Sequence, residues 1–296
     1  MASYSIKDIE LLSGIKAHTL RIWEQRYNFL EPKRTETNIR FYDDEQLKKI
    51  LNISLLYKHG YKISKIDQLT EDKLREEVLK IHTHSSSNEV FMDTLIHCTL
   101  EFDEMLFTKT LNQILSKQSF EMGISEVVFP FLQRIGLLWT TGSIRPVQEH
   151  FISNLIRKKI ISATEALNNS LPEQQRNRFV LFLPEHEMHE LLLLFSDYVI
   201  RKAGHDTVYV GNCVPWEDME FIRSKFQPDF LVSFFSTPFP SAGIQQFVSH
   251  MSASFPSCKI LLGGGVMKAE IHEVPSNVFL CTSYPEFTVH LGPKKQ

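Results

Sequence analysis

Six basic side chains crowd residues 16–42: Lys16, Arg21, Arg26, Lys33, Arg34 and Arg40, against Glu24, Glu31 and Glu36. That local excess of three positive charges stands in a chain of formal net charge −3. Guanidinium and ammonium groups at this density, with Tyr27, Asn38 and Tyr42 among them, suit charge pairing and hydrogen bonding to nucleic-acid phosphate. His18, Thr19 and Arg21 fall at the start and along one side of a predicted helix, where a recognition helix meets base edges. Hydrolytic and nucleotide chemistry find no matching pattern. His186 and His189 are three apart rather than four, so HEMHE is not a zinc-protease helix. GGGVM lacks the Lys-Ser/Thr of a phosphate loop. No Ser occupies a G-x-S-x-G elbow.

The elements that must position these groups follow from periodicity and breakers. Residues 5–13 read as a short helix with Ile6, Ile9, Leu11 and Leu12 apolar. Gly14 breaks it and a second helix follows from about Ala17 to Tyr27, giving helix, tight turn, helix. Residues 28–42, with Pro32, suit a hairpin wing. Asp43 caps a periodic helix that Gly60 stops, and shorter helices follow to about Ile81. Thr83–Asn88 is the best linker, polar and serine-rich. Residues 89–170 predict a bundle of four or five helices, punctuated by Gly123, Pro130, Gly142 and Pro146. From Asn177, short apolar strands (178–184, 207–210, 230–234, 259–265) alternate with helices (187–203, 216–225, 241–254), which predicts a parallel sheet covered on both faces. Ligands of such sheets lie outside the carboxyl ends of the strands. The expected fold class is therefore multidomain, α and α/β. It has a winged helix-turn-helix at 1–82, a helical bundle at 89–170 and a Rossmann-like parallel sheet with flanking helices at 175–293.

With 296 residues, 43% hydrophobic and 23% charged, the chain supports a sizeable core. Its acidic balance excludes a wholesale nucleic-acid wrapper and confines DNA contact to a local patch. Cys98, Cys213, Cys258 and Cys281 have no CxxC spacing, which excludes a disulfide framework and fits a reducing compartment. No signal peptide and no bilayer-length apolar run is visible, so a cytoplasmic protein without membrane association is expected.

The run YSIKDIELLSGIKAHTLRIWEQRYNFLEPKRTETNIRFYDDEQLKKI resembles the MerR family of transcription regulators. The family's R-x-W-E-x-R-Y is present as Arg21, Trp23, Glu24, Arg26 and Tyr27. Its L-x-P-x-R is Leu30, Pro32 and Arg34, and its N-x-R-x-Y is Asn38, Arg40 and Tyr42. The resemblance implies a dimer on a near-palindromic operator. The DNA-binding set is Lys16, His18, Thr19, Arg21, Arg26, Tyr27, Arg34, Asn38, Arg40 and Tyr42, with Arg34, Asn38, Arg40 and Tyr42 on phosphate. Trp23, a large aromatic in mid-helix, is assigned to the core. No long heptad helix follows, so self-association as dimer or tetramer would lie elsewhere. RNA polymerase at the promoter is a further candidate partner.

Residues 90–290 resemble the cobalamin-binding module of light-responsive, CarH-like MerR regulators, also found in methionine synthase. The resemblance implies that Glu187 and His189 match its D/E-x-H-x-x-G, whose His ligates the cobalt of cobalamin. A carboxylate beside a ligating imidazole fixes its tautomer. Ser233 matches the Ser of S-x-L, and Gly263-Gly264 match a G-G pair that lies close to the nucleotide tail. Trp139 and Gly142 match W-x-x-G, and Glu149-His150 match an E-H on the upper corrin side. The chain departs from the pattern at Leu192 (family Gly), Phe235 (Leu) and Thr140, where the photoreceptors often carry His. Adenosylcobalamin is one form the site would take. Three functions stay open. One is a regulator whose cobalamin state alters oligomerisation and operator binding, with light as a stimulus. Another is a MerR-type regulator whose sensor has turned to another ligand or protein partner. The last is a methyl carrier, disfavoured by the helix-turn-helix; no enzymatic role is expected.

Overall fold

In α1 (Ile6–Ser13), Ile9 is buried and the helix ends at Gly14. The φ of +70° there suits only glycine at low cost. Ser13 pins the turn: its hydroxyl donates to the Ile9 carbonyl and accepts from the Ile15 amide, while Ser54 donates to the Ser13 carbonyl. The second helix, α2 (Ala17–Arg26), has no side-chain cap of its own. Glu10 substitutes, accepting from the Ala17 amide at 3.1 Å and the Lys16 ammonium at 3.0 Å. Both donors hold its carboxyl below the usual range, Lys16 most strongly.

The computed structural model describes residues 4–27, 32–34, 40–74, 76–77, 88–140, 144–168, 172–236, 243–265 and 271–292. Two compact units divide the chain, Met1–Leu155 and Ile156–Gln296.

In the first unit the expected wing is present as β1 (Lys33–Arg34) antiparallel to β2 (Arg40–Phe41). A bridge between Tyr4 and Tyr42 closes it against the chain's start. Next, α3 (Asp44–Lys58) begins with a full capping box: Asp43 accepts from the Gln46 amide and Gln46 accepts from the Asp43 amide. Lys33 of the wing pairs with Asp43 at 2.8 Å, and together with the Gln46 amide it lowers the Asp43 carboxyl. A short α4 (Ile63–Ile66) follows. Of the expected linker, only Asn88 is among the described residues.

The helical part comprises α5 (Asn88–Glu101), α6 (Glu104–Lys117), α7 (Phe120–Gly123), a π turn (Ile124–Val128), α8 (Phe129–Thr140) and α9 (Pro146–Glu165). Gly123 and Pro130 fall where the helix type changes, at the end of α7 and in the first turn of α8. A Cβ on Gly123 would stand 2.9 Å from the Leu115 side chain, so this glycine serves close packing. Pro130 lies inside α8, and the π turn before it, with Phe129 donating to the Ile124 carbonyl, absorbs the missing amide. Asp93 of α5 is buried between Lys58 (3.2 Å) and Arg134 (3.9 Å). Burial raises its carboxyl despite both cations.

The second unit is a five-stranded sheet in the order β4-β3-β5-β6-β7, parallel throughout: β3 (Arg178–Pro184), β4 (Asp206–Val214), β5 (Phe230–Phe234), β6 (Lys259–Gly263) and β7 (Val278–Leu280). Strands β3 and β5 are buried almost throughout, as a sheet covered on both faces requires. Helix α10 (Leu191–Lys202) packs across β3, β4 and β5. Met219 of α11 (Met219–Phe226) and Val248 and Met251 of α12 (Ile244–Ser254) join a core with Val180, Leu231, Ile260 and Val278. The last helix, α13 (Tyr284–Thr288), lays Tyr284 against Phe195 of α10.

Three sequence expectations change here. The helix expected from 187 starts at Leu191; residues 185–190 form a loop with His186 at φ 72°. Strand β4 continues past Gly211 to Val214 through a register shift. A fifth strand and α13 close the unit, too short to show in the periodicity. Among the described residues no helix is long and apolar enough to cross a membrane, and all four cysteines are free. Burial pushes the Cys98 thiol up to about 12 and those of Cys258 and Cys281 to about 11.

Candidate functional site

The read-head presents its polar residues on α2 and the wing. His18, Arg21 and Arg26 are exposed on α2, Thr19 is half-buried, and Thr19 Oγ1 lies 3.3 Å from His18 Nε2. Lys16 is exposed before α2 and paired with Glu10. Arg34 is exposed on β1, and Tyr27 ends α2 half-buried. Trp23 is buried and meets Tyr57 edge-on at 5.1 Å, which places it in the core as expected. Asn38 lies outside the described residues.

Two expected phosphate contacts are corrected or qualified. Tyr42 is fully buried, its hydroxyl hydrogen-bonded to Glu24, so it is a core residue with no route to phosphate. Burial, reinforced by the Glu24 carboxylate, holds its phenol well above the usual range. Arg40 donates to the other Glu24 oxygen at 3.1 Å and remains partly exposed. Glu24 therefore clamps the wing to the recognition helix. Its charge was counted in the sequence, but pairing across 16 and 18 residues has no local signature.

In the helical part, Trp139 is 53% exposed at the end of α8. A large exposed indole is the opposite of core packing and suits contact with a flat apolar ligand. Glu149 and His150 open α9. His150 Nδ1 lies 3.0 Å from Glu149, which also accepts from Ser153. Gly142 lies outside the described residues.

The second unit assembles its candidates at the carboxyl ends of β3 and β5. Strand order reverses there, the place where open parallel sheets bind ligands. Glu187 is buried and accepts three hydrogen bonds: from the His189 amide (2.9 Å), from His189 Nδ1 (2.7 Å) and from the Ser236 amide just past β5 (2.7 Å). With the carboxylate accepting from Nδ1–H, the neutral imidazole carries its lone pair on Nε2, and the His189 side chain is 60% exposed. That is the form in which an imidazole ligates a metal. Ser233 is fully buried on β5, and its hydroxyl finds no hydrogen-bond partner among the described residues. A buried orphan hydroxyl in a native fold calls for a water or ligand group. Leu192, in place of the family glycine, is half-buried on the first turn of α10.

The Gly263-Gly264 pair has its own structural reason. A Cβ on Gly264 would lie 2.2 Å from the Phe235 carbonyl oxygen, and one on Gly263 would lie 2.6 Å from the Phe234 ring. These glycines let β6 meet the end of β5. Sequence reasoning missed Ser236, which acts through its backbone, and the pairing of Glu190 with Arg157 and Tyr209.

Comparison with known proteins agrees with both halves. Residues 4–73 match the MerR HTH family regulatory protein family, and residues 92–162 match the B12 binding domain family. The HTH-type transcriptional repressor CarH of Myxococcus xanthus is 25% identical over 235 residues, 77% of each chain. The repressor CarA of the same organism is 25% identical over 265 residues, 88% of this chain and 85% of that one. The Methanosarcina barkeri monomethylamine corrinoid protein superposes with a TM-score of 0.56 at 15% identity, covering 69% of this chain and 99% of that one, a likeness of fold. A MerR-type helix-turn-helix region joined to a B12-binding-type region thus makes this chain a homologue of the CarH and CarA repressors.

Proposed function

We propose that this protein is a transcription regulator that reads operator DNA with α2 and the wing and senses cobalamin with the rest of the chain. The observation that carries the sensing half is the Glu187–His189 pair, an imidazole oriented by a buried carboxylate at the switch point of a parallel sheet. The residues fit the group at two places: His189 would take the cobalt through Nε2, and the orphan hydroxyl of Ser233 would meet the nucleotide tail. Trp139, Glu149 and His150 are the further cobalamin-binding residues that the family resemblance implies. Cobalamin, when bound, would supply a cobalt centre for the His189 imidazole to ligate. Glu187 accepts from His189 Nδ1 and keeps the imidazole aimed. The cobalamin state would set self-association, as dimer or tetramer, and hence operator affinity. RNA polymerase at the promoter and illumination of bound adenosylcobalamin are further arms of the same proposal.

The DNA half makes its own forecast. Arg34→Ala should weaken operator and random DNA alike and lower the salt slope of binding by about one. Arg21→Ala should cost about 1–3 kcal/mol on the operator alone. Filter binding at several salt concentrations separates the two.

The sensing half is tested by incubating purified protein with hydroxocobalamin or adenosylcobalamin in the dark, desalting, and recording the absorption spectrum beside His189→Ala. Retained corrin with a His189-dependent spectrum is expected. Loss of all corrin on desalting would favour the alternative of a sensor turned to another ligand or partner, which Leu192 in the glycine position also favours.

A further inference from the structure

The loop that carries His189 is held at both ends by carboxylates. Glu187 ties it to the end of β5 through the Ser236 amide. Glu190, the residue after His189, is held on the other side. Its side chain is mostly buried, one oxygen pairs with Arg157 of α9 at 2.5 Å, and the other accepts from the Tyr209 hydroxyl of β4 at 3.2 Å. Glu190 occupies the N-cap position of α10 yet makes no side-chain cap bond. A carboxylate there has exposed helix amides within reach and favourable dipole interaction. Here it is drawn away to a cation and a phenol from two other elements. Tyr209 can only donate to it, because burial and the adjacent Glu190 hold the phenol above its usual range.

Arg157 stands eight positions after Glu149 and four after Ser153, so the three share one side of α9. Ser153 already bonds Glu149. Arg157, on the part of α9 that belongs to the second unit, therefore grips the residue next to His189.

We propose that Glu190 is a positioning residue for His189, and that the Arg157–Glu190 pair couples helix α9 to the orientation of that imidazole. This rests on the reading of His189 as a ligand, but its first test does not need the ligand. Release of Glu190 frees the C-terminal end of the loop. His189 then loses its fixed distance to Glu187, and the imidazole proton is free to move to Nε2, the nitrogen that must stay bare to ligate.

The experiment uses full-length protein labelled with 15N-histidine, with ring signals recorded in mildly alkaline buffer and His189→Ala for assignment. Wild type is expected to show His189 with its proton on Nδ1. Glu190→Ala and Arg157→Ala should each shift the population toward Nε2–H, the double variant should add nothing further, and Glu190→Gln, which keeps an acceptor oxygen for only one of the two donors, should fall between wild type and Glu190→Ala. The partly exposed Arg157 provides a variant remote from the loop should Glu190→Ala fold poorly. A His189 tautomer unchanged in both single variants, or additive effects in the double, overturns the proposal. In the second arm, hydroxocobalamin affinity should fall by about ten- to hundredfold in the two alanine variants. Equal affinity in the two alanine variants and wild type also overturns it. A wild type that retains no corrin rejects the cobalamin reading instead, while the tautomer result still decides the anchor.

Discussion

Gly264→Ala should prevent the second unit from folding, or cost it more than about 4 kcal/mol, the range reserved for a named steric failure. At φ +112° an L side chain is already strained, an effect of about 1–3 kcal/mol. The new Cβ would then stand 2.2 Å from the carbonyl oxygen of Phe235 and 2.7 Å from its carbon and nitrogen. All three are backbone atoms, so no rotamer change relieves the clash. Phe235 also donates its amide to the Gly263 carbonyl at 2.9 Å, so moving the strands apart breaks a bond that joins the carboxyl ends of β5 and β6. Gly265→Ala is the control. Among the described residues nothing lies within 4 Å of its added Cβ, and stability should stay within about 0.5 kcal/mol of wild type. Soluble yield and urea unfolding followed by circular dichroism compare the two. A well-folded Gly264→Ala protein with wild-type stability would mean that β5 and β6 do not meet as described.

Glu187→Ala should both loosen the switch-point loop and abolish ligation by His189. The carboxylate accepts from two backbone amides and one ring nitrogen. Leaving the amides of His189 and Ser236 without an acceptor should cost roughly 2–4 kcal/mol. Loss of the bond to Nδ1 frees the imidazole to rotate and to change tautomer, and hydroxocobalamin affinity should drop by about ten- to hundredfold. Glu187→Gln keeps one acceptor oxygen but turns an amide N–H₂ toward a donor, so it should fall between alanine and wild type. Urea unfolding measures the first effect, and the spectrum of desalted protein after incubation with hydroxocobalamin measures the second. Wild-type corrin retention by Glu187→Ala would remove His189 from the ligand role, since an unsupported, exposed imidazole does not hold its geometry.

Much of this protein was decided by neighbours along the chain. The Gly14 turn, the Asp43 capping box, Trp23 in the core of the read-head and the apolar strands β3, β5 and β6 follow from steric preference, capping and periodicity within a few residues. The basic patch is of the same kind, and so is the nearness of Glu187 to His189, two residues apart in one loop; how the imidazole is held there depends on the loop's distant anchors. What only tertiary structure decided involves partners far apart in sequence. Tyr42 and Arg40 belong with Glu24 because the wing folds back on α2. The third bond to Glu187 comes from Ser236, 49 residues away, because β5 lies beside β3 in a sheet whose order the strands alone do not specify. Gly264 is required by the backbone of Phe235 in the neighbouring strand. Glu190 turns from the helix it could cap toward Arg157 and Tyr209. Local propensity sets which element forms, whereas the partner of a buried charge or hydroxyl depends on which elements pack beside it.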